Sequence, residues 1–200
     1  MRTARVARLA VGLAGVAALA LVPALTGPSA AASTPAAHQH SAQSASTGRP
    51  SALQIARMRA ATATFHNIAN AEDASYGLLH DLAGLTCIAM PGVGGMGVHF
   101  VNGALVGDPG LDIRKPEALV YAPDRDGTLR LAALEFIVDK AAWDSSHARP
   151  PRLFPGAPFD VTTAPNRYGL APFYSQHAWI WRPNPAGVLN MWNPRVTCRT

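Results

Sequence analysis

The stretch that decides the fold is ALVYAPDRDGTLRLAALEFIV, residues 118–138. It contains two apolar runs, residues 118–121 and 129–138, and the polar sequence DRDG lies between them. A tight turn that ends in Asp-Gly, with the glycine at a positive φ, joins antiparallel strands in this way. Only Arg130 and Glu135 interrupt the second run, which is therefore apolar on both faces. We predict a hairpin whose second strand lies in the interior of its sheet.

Other short apolar runs flank this hairpin, and Gly, Pro, Asn or Asp bounds each of them. They are residues 87–90, 96–101 and 177–181. Proline-rich connections at residues 149–151 and 155–158 argue against helices and inner strands there. We therefore predict an α+β fold that is mainly β, an antiparallel sheet or partial barrel with one N-terminal amphipathic helix.

The N-terminal helix is predicted from residue 52 to about residue 75. Apolar side chains recur there at three- and four-residue steps, at Ile55, Met58, Thr62, Phe65 and Ala69. Its polar face has few lysines and arginines, so we expect the apolar stripe to cover the sheet and not a membrane surface. His66 and His80, on or near this helix, are predicted to be surface or capping residues.

Residues 1–32 have the three-part organisation of a secretory signal peptide. Three arginines precede an uncharged apolar run, residues 9–25, and small side chains follow at residues 30–32. An uncleaved membrane anchor is the alternative, because an apolar run of this length approaches a spanning helix. Pro23 and the small-residue exit favour cleavage after Ala32. We therefore predict a secreted protein that meets the membrane only through this segment before cleavage.

Residues 33–50 consist largely of Ser, Thr, Ala, Gln, Gly and Pro, without Leu, Ile, Val or an aromatic residue. Such a composition offers too little apolar surface to offset the entropy of ordering, so we predict a disordered linker. His38 and His40 within it are interpreted as incidental and not as a metal site. The remainder, residues 51–200, is predicted to be a single β-rich domain.

The charge of the chain excludes nucleic acid as a partner. The formal net charge is +5, and the signal segment carries three arginines, which leaves +5 − 3 = +2 after cleavage. The remaining cations are scattered along the sequence. A nucleic-acid surface requires clustered cations that neutralise successive phosphates.

Two cysteines remain after cleavage, Cys87 and Cys198. An even number of cysteines in an exported chain predicts a disulfide, because the compartment is oxidising. A reactive cysteine is the alternative. Cys198 lies two residues from the end of the sequence, which is a poor position for preorganised chemistry, so the disulfide is favoured.

Two sequence motifs resemble ligand-binding loops but lack the neighbouring residues that those loops require. Residues 92–97, GVGGMG, fit the dinucleotide fingerprint G-x-G-x-x-G, but β-formers follow where that motif requires a helix. We interpret them as a flexible entry loop. Asp124 and Asp126 resemble the start of a calcium loop, but the third acidic ligand before Gly127 is missing. A hairpin turn explains this segment.

One constellation of polar side chains is a candidate site: His99, Glu135 and His177. Strand alternation places Glu135 within an apolar strand and puts His177 on one face with Trp179 and Trp181. If these strands are neighbours, the three side chains converge in an aromatic-walled ligand pocket and form a divalent transition-metal site or an acid–base set. The alternative is a hydrogen-bonded buried carboxylate with two structural histidines, and tryptophans that fill the core.

Four segments resemble those of a family of secreted proteins from high-GC bacteria of the actinobacterial type. They are residues 96–102 (MGVHFVN), 116–121 (PEALVY), 134–136 (LEF) and 177–181 (HAWIW), the last followed by Asn184-Pro185. The likeness covers roughly residues 62–198. It implies export and a single domain, and it assigns no catalytic residue because the family has no established activity.

Two functions remain open from the sequence. The first is a secreted, non-catalytic module that binds a small ligand, a glycan or another protein. The alternative is a metal-dependent or acid–base enzyme that uses His99, Glu135 and His177.

Overall fold

The structure, a computed structural model, describes residues 48–198. The predicted signal peptide and residues 33–47 of the predicted linker, with His38 and His40, lie outside these residues. The predicted linker extends to Pro50, but Gly48 and Pro50 are buried in the structure. At Gly48 a Cβ would collide with the backbone near Ala157, so the chain is already packed there. Within residues 48–198 there is no helix of the length and apolar character that a membrane span requires.

The predicted N-terminal helix is broken into three pieces. Helix α1, Ala52–Thr62, begins at a Ser51 capping box, a 3-10 turn covers Ala63–His66, and helix α2 spans Ile68–Asp73. The break occurs where Asn67 adopts an extended backbone and its side chain accepts a hydrogen bond from the next helix, as helix-capping residues do. The prediction of one continuous helix was therefore wrong.

The break also changes which side chains reach the core. Met58 and Thr62 are buried as predicted, and Ile55 and Phe65 pack against the core while remaining partly exposed. Ala69, however, is exposed and Ala71 is buried in its place, because α2 restarts with a different rotation. His66 and His80 are exposed, as predicted.

Seven antiparallel strands form one sheet in the described part of the chain, which confirms the mainly β fold class. They are β1 Gly77–Leu78, β2 Cys87–Met90, β3 Gly94–Val101, β4 Ala118–Pro123, β5 Leu129–Asp139, β6 Asp160–Thr162 and β7 Phe173–Ala178. The strand order is β1-β3-β4-β5-β7-β6, and β2 also pairs with β3. Short helices, α3 Gly103–Val106 and α4 Lys140–Asp144, follow β3 and β5.

The hairpin predicted from residues 118–138 is confirmed. Strands β4 and β5 pair directly, and Gly127 closes the turn at φ +86 with its N–H donated to the Asp124 carbonyl. Strand β5 lies between β4 and β7, in the interior of the sheet as expected. The predicted strand at residues 177–181 is wrong in position, because β7 covers Phe173–Ala178 and ends before the tryptophans.

The glycine-rich segment is not a flexible loop, which corrects the prediction for residues 92–97. Residues 94–97 belong to β3, and glycine is needed there because other segments of the chain approach closely. A Cβ at Gly94 or Gly95 would collide with the C-terminal segment at Asn193 or Val196. At Gly97, with φ +99, a Cβ would lie 2.5 Å from a carbonyl oxygen of β4.

The disulfide between Cys87 and Cys198 is confirmed, and it joins residues 111 positions apart in the sequence. Beside it, Gly95 and Asn193 exchange backbone hydrogen bonds of 3.1 and 3.0 Å. These contacts hold the C-terminal segment along the start of β2 and β3.

The sheet is covered on both faces. One face packs against the main core, which includes Met58 of α1 together with Phe100, Leu119, Leu134 and Phe136. The pairing register places His99, Val120, Ala133, Glu135 and His177 together on the opposite face. That face carries the candidate site.

Candidate functional site

The sheet register brings His99, Glu135 and His177 together. Glu135 on β5 lies directly opposite His177 on β7, so their side chains are nearest neighbours on one face. His99 is on β3, two strands from Glu135, which corresponds to roughly 9.6 Å between backbones. The intervening residues of β4, Ala118 and Val120, have short side chains. The longer side chains of His99 and Glu135 therefore meet above them.

The three side chains are in contact. His99 Nε2 lies 3.2 Å from His177 Nε2 and 3.3 Å from Glu135 Oε2. His177 Nδ1 lies 3.6 Å from Glu135 Oε1. The strands meet the condition stated for convergence, and the donor atoms of the three residues all lie within 4.8 Å of one another.

Burial controls the protonation of the cluster. The residues are 3%, 7% and 1% exposed for His99, Glu135 and His177. Burial lowers the pKa of His99 to about 4, against the opposing charge of Glu135, and it lowers the pKa of His177 to about 3. Burial raises the pKa of the Glu135 carboxyl, which the neighbouring His99 lowers in part. Both imidazoles are therefore neutral at neutral pH.

Two nitrogen atoms of the cluster have no hydrogen bond of normal geometry. They are Nδ1 of His99 and Nδ1 of His177, both buried; among residues 48–198 their rings have weaker contacts, with the backbone of Gly97 for His99 and with Glu135 Oε1 at 3.6 Å for His177. Buried polar atoms in folded proteins are paired in the great majority of cases. The hydrogen bonding of the cluster is therefore incomplete at these two nitrogens.

A cavity of about 510 Å³ adjoins the cluster, with His99 and Glu135 in its wall. Most of the other lining side chains are apolar: Leu79, Met96, Val101, Val106, Ile137, Val161, Leu170, Phe173, Met191 and Trp192. The polar ones include Asp139, Asn166, Arg167, Tyr168 and Ser175. The cavity lies between the sheet, the segment that connects β6 to β7, and the C-terminal segment.

The β6–β7 connection is held in place by two polar anchors. Asn166 donates its amide to the carbonyls of Thr163 and Leu170 and accepts the N–H groups of Tyr168 and Leu170. Arg167 donates to the buried Asp81 carboxylate at 2.7 Å, which keeps the pKa of Asp81 low. The cavity wall is therefore ordered by side chains that the sequence patterns did not single out.

Trp179 and Trp181 do not line this cavity, contrary to their predicted place in a ligand pocket. Trp179 is 4% exposed, stacks near His177 at 6.1 Å between ring centroids, and donates its indole N–H to the Asn190 carbonyl. Trp181 packs against His66 and donates its N–H to the Thr62 hydroxyl. Trp192, from the C-terminal segment, is the tryptophan of the cavity wall.

Glu117 is a second buried carboxyl that the sequence analysis did not select. It lies just before β4, is 2% exposed, and accepts the N–H of Ile137 at 2.9 Å. Its side chain takes the place of the missing backbone partner before the start of β4. Burial raises the pKa of Glu117 to about 8.

No family model, no curated protein and no solved structure matches this chain. The resemblance to secreted proteins of high-GC bacteria stays a prediction.

Proposed function

We propose that this chain is a secreted, non-catalytic protein that binds one small, largely apolar molecule in the cavity beside Glu135. The cavity carries this proposal, because its volume of about 510 Å³ lies within the roughly 300–1,000 Å³ of small-molecule sites. Its lining also has the composition of such sites, mostly apolar with a few buried polar groups.

The rim of the cavity supports an apolar ligand. Val161 and Leu170 line the cavity and yet are 45% and 50% exposed. Exposed apolar side chains around an opening are typical of binding sites. A glycan is less favoured, because Trp179 is buried and Trp181 packs against α1 residues, which leaves neither indole face free for a sugar ring.

Export is supported by the disulfide and by the signal peptide predicted for residues 1–32. Disulfides form and persist in oxidising compartments, and they are rare where thiols are kept reduced. The Cys87–Cys198 bond therefore fits an extracellular location.

Titration with N-phenyl-1-naphthylamine, a neutral apolar fluorescent probe, tests the proposed binding. We expect saturable binding of one probe per chain. Val161→Glu and Leu170→Glu should each weaken it at least about tenfold, because a charge at the rim must be desolvated. Leu53→Glu is the matched control, since Leu53 is an exposed leucine of α1 outside the cavity wall. Unsaturable binding, or equal affinity in all variants, contradicts the proposal.

A metal-dependent or acid–base enzyme is the second candidate, and the convergence of His99, Glu135 and His177 beside the cavity favours it. The purified protein can be screened against ester, amide and phosphoester substrates. Turnover that Glu135→Gln abolishes while probe affinity is retained would support an enzyme. No turnover with any of these substrates would count against it.

A further inference from the structure

The spacing of the donor atoms in the His99–Glu135–His177 cluster matches a tetrahedral metal site. Zn–N and Zn–O bonds are about 2.0–2.1 Å long, so a tetrahedral ion separates its donors by roughly 3.3–3.4 Å. The two distances from His99 Nε2, to His177 Nε2 and to Glu135 Oε2, are 3.2 and 3.3 Å. Two donor separations therefore equal those around a tetrahedral ion, and all three donor groups lie within 4.8 Å of one another.

Protons alone satisfy this cluster only through long or poorly aligned contacts. A proton on His99 Nε2 would have to be shared between His177 Nε2 and the Glu135 carboxylate. A proton on Nδ1 instead meets only weakly placed acceptors: the backbone of Gly97 for His99, and Glu135 Oε1 at 3.6 Å for His177. If both histidines carry their proton on Nδ1, two imidazole lone pairs face one another and the Glu135 carboxyl. A cation at the centre binds all three at once.

The donor set selects the class of cation. Ca²⁺ and Mg²⁺ prefer shells made of oxygen atoms, whereas two imidazole nitrogens and one carboxylate suit zinc and its neighbours in the transition series. Neutral imidazole is the form that binds metal, so binding releases any proton that the coordinating nitrogen holds.

We infer that His99, Glu135 and His177 bind one divalent transition-metal ion of the zinc type, with a further coordination position open to the cavity. His99 and Glu135 line the cavity, whereas His177 closes the inner side of the cluster. Three protein ligands and one open position are the arrangement of metal sites that bind an exogenous molecule. A divalent ion with a single carboxylate ligand retains one positive charge.

That positive charge indicates that the ligand of the proposed binding function carries a negative charge at one end. An apolar body fits the cavity wall, and an anionic head group, such as a carboxylate or hydroxamate, fits the open metal position. This second step rests on the proposed function. Metal binding itself does not, because it depends only on the three side chains.

Metal alone is the probe for the first step. The full exported chain is stripped with a chelator, dialysed against Zn²⁺ or Co²⁺, and analysed for metal content. We expect one ion per chain, the intense visible absorption of tetrahedral Co²⁺, and a rise of roughly 5 to 11 °C in Tm at 100-fold excess over Kd. Glu135→Gln and His177→Gln should each lose the bound ion. His66→Gln and His80→Gln, at exposed histidines, should retain it.

Folding and alternative sites are controlled separately. Near-UV circular dichroism and an intact disulfide identify variants that fold, and Glu135→Gln preserves the volume of the side chain. A combined His38→Ala and His40→Ala variant should keep the ion. The inference is overturned if the folded wild-type chain takes up no stoichiometric metal, or if the ion is lost from this tail variant and kept by Glu135→Gln.

The second step is tested with octanohydroxamate as the probe. We expect octanohydroxamate to displace N-phenyl-1-naphthylamine from the zinc-loaded protein at a concentration at least tenfold lower than from the stripped protein. Equal displacement from both forms refutes the head-group assignment. Metal uptake without binding of either probe refutes the proposed ligand function and leaves the metal site standing. Binding of N-phenyl-1-naphthylamine without metal uptake refutes the metal site and leaves the proposed ligand function standing.

Discussion

The buried carboxyl of Glu117 predicts an unusual dependence of stability on pH. Its pKa is about 8 in the folded chain, against an ordinary value of 4.5. The unfolded chain therefore releases this proton at a lower pH than the folded chain does. A raised carboxyl pKa contributes stability fully below pH 4.5, and this contribution is lost as the pH rises toward about 8.

Glu117→Gln removes the titration and keeps the structural contact. An amide oxygen can still accept the N–H of Ile137, and the side-chain volume is nearly unchanged. With pKa values of 4.5 and about 8, linkage gives a loss of about 3 kcal/mol in the wild-type free energy of unfolding between pH 5 and 7.5. The variant lacks this loss, so its advantage over the wild type should grow by about that amount.

Urea unfolding of both proteins at the two pH values, in the presence of a chelator, measures this difference directly. Taking the difference between variant and wild type cancels the contributions of the other titrating groups. Glu72→Gln, on the exposed surface of α2, controls for the removal of one carboxylate. A difference that changes by less than about 1 kcal/mol across this range would refute the assignment of a neutral, buried Glu117.

Two further predictions concern the segments that frame the site. Replacing Cys87 and Cys198 together by alanine should lower the free energy of unfolding by about 5 kcal/mol, because the disulfide closes a loop of 111 residues. A urea titration that shows a loss below about 1 kcal/mol would contradict this. Gly97→Ala should destabilise the fold by about 2 kcal/mol or more, because its Cβ would collide with β4 at a positive φ. Gly103→Ala, where a Cβ meets nothing within 4 Å, is the control, and an equal Tm in the two variants would be the contrary result.

Local sequence signals were sufficient where neighbouring residues decide the structure. The β4–β5 hairpin follows from two apolar runs and an Asp-Gly turn, which are contiguous in the chain. The disulfide followed from an even number of cysteines in a chain predicted to be exported. The end of β7 did not follow, because Trp179 is drawn out of the sheet by hydrogen bonds to residues 188 and 190.

The sequence predicts the candidate site only on the condition that its three strands lie close together in the sheet. Alternation gives the faces of His99, Glu135 and His177, but their contact depends on the order of the strands. It also depends on the small side chains of β4 between two of them. Glu117 was missed because its burial depends on where β4 begins relative to β5, and no spacing in the sequence encodes that offset.

The C-terminal segment is the last part of the described chain to reach the site. A chain that emerges N-terminus first presents His99, Glu135 and His177 before Met191 and Trp192, which close part of the wall around them. The cluster therefore stays accessible until the last described residues dock against β3 and oxidation joins Cys198 to Cys87. If the proposed ion or ligand binds, its easiest route lies in this interval, so we expect the order of docking, oxidation and loading to affect what the finished molecule contains.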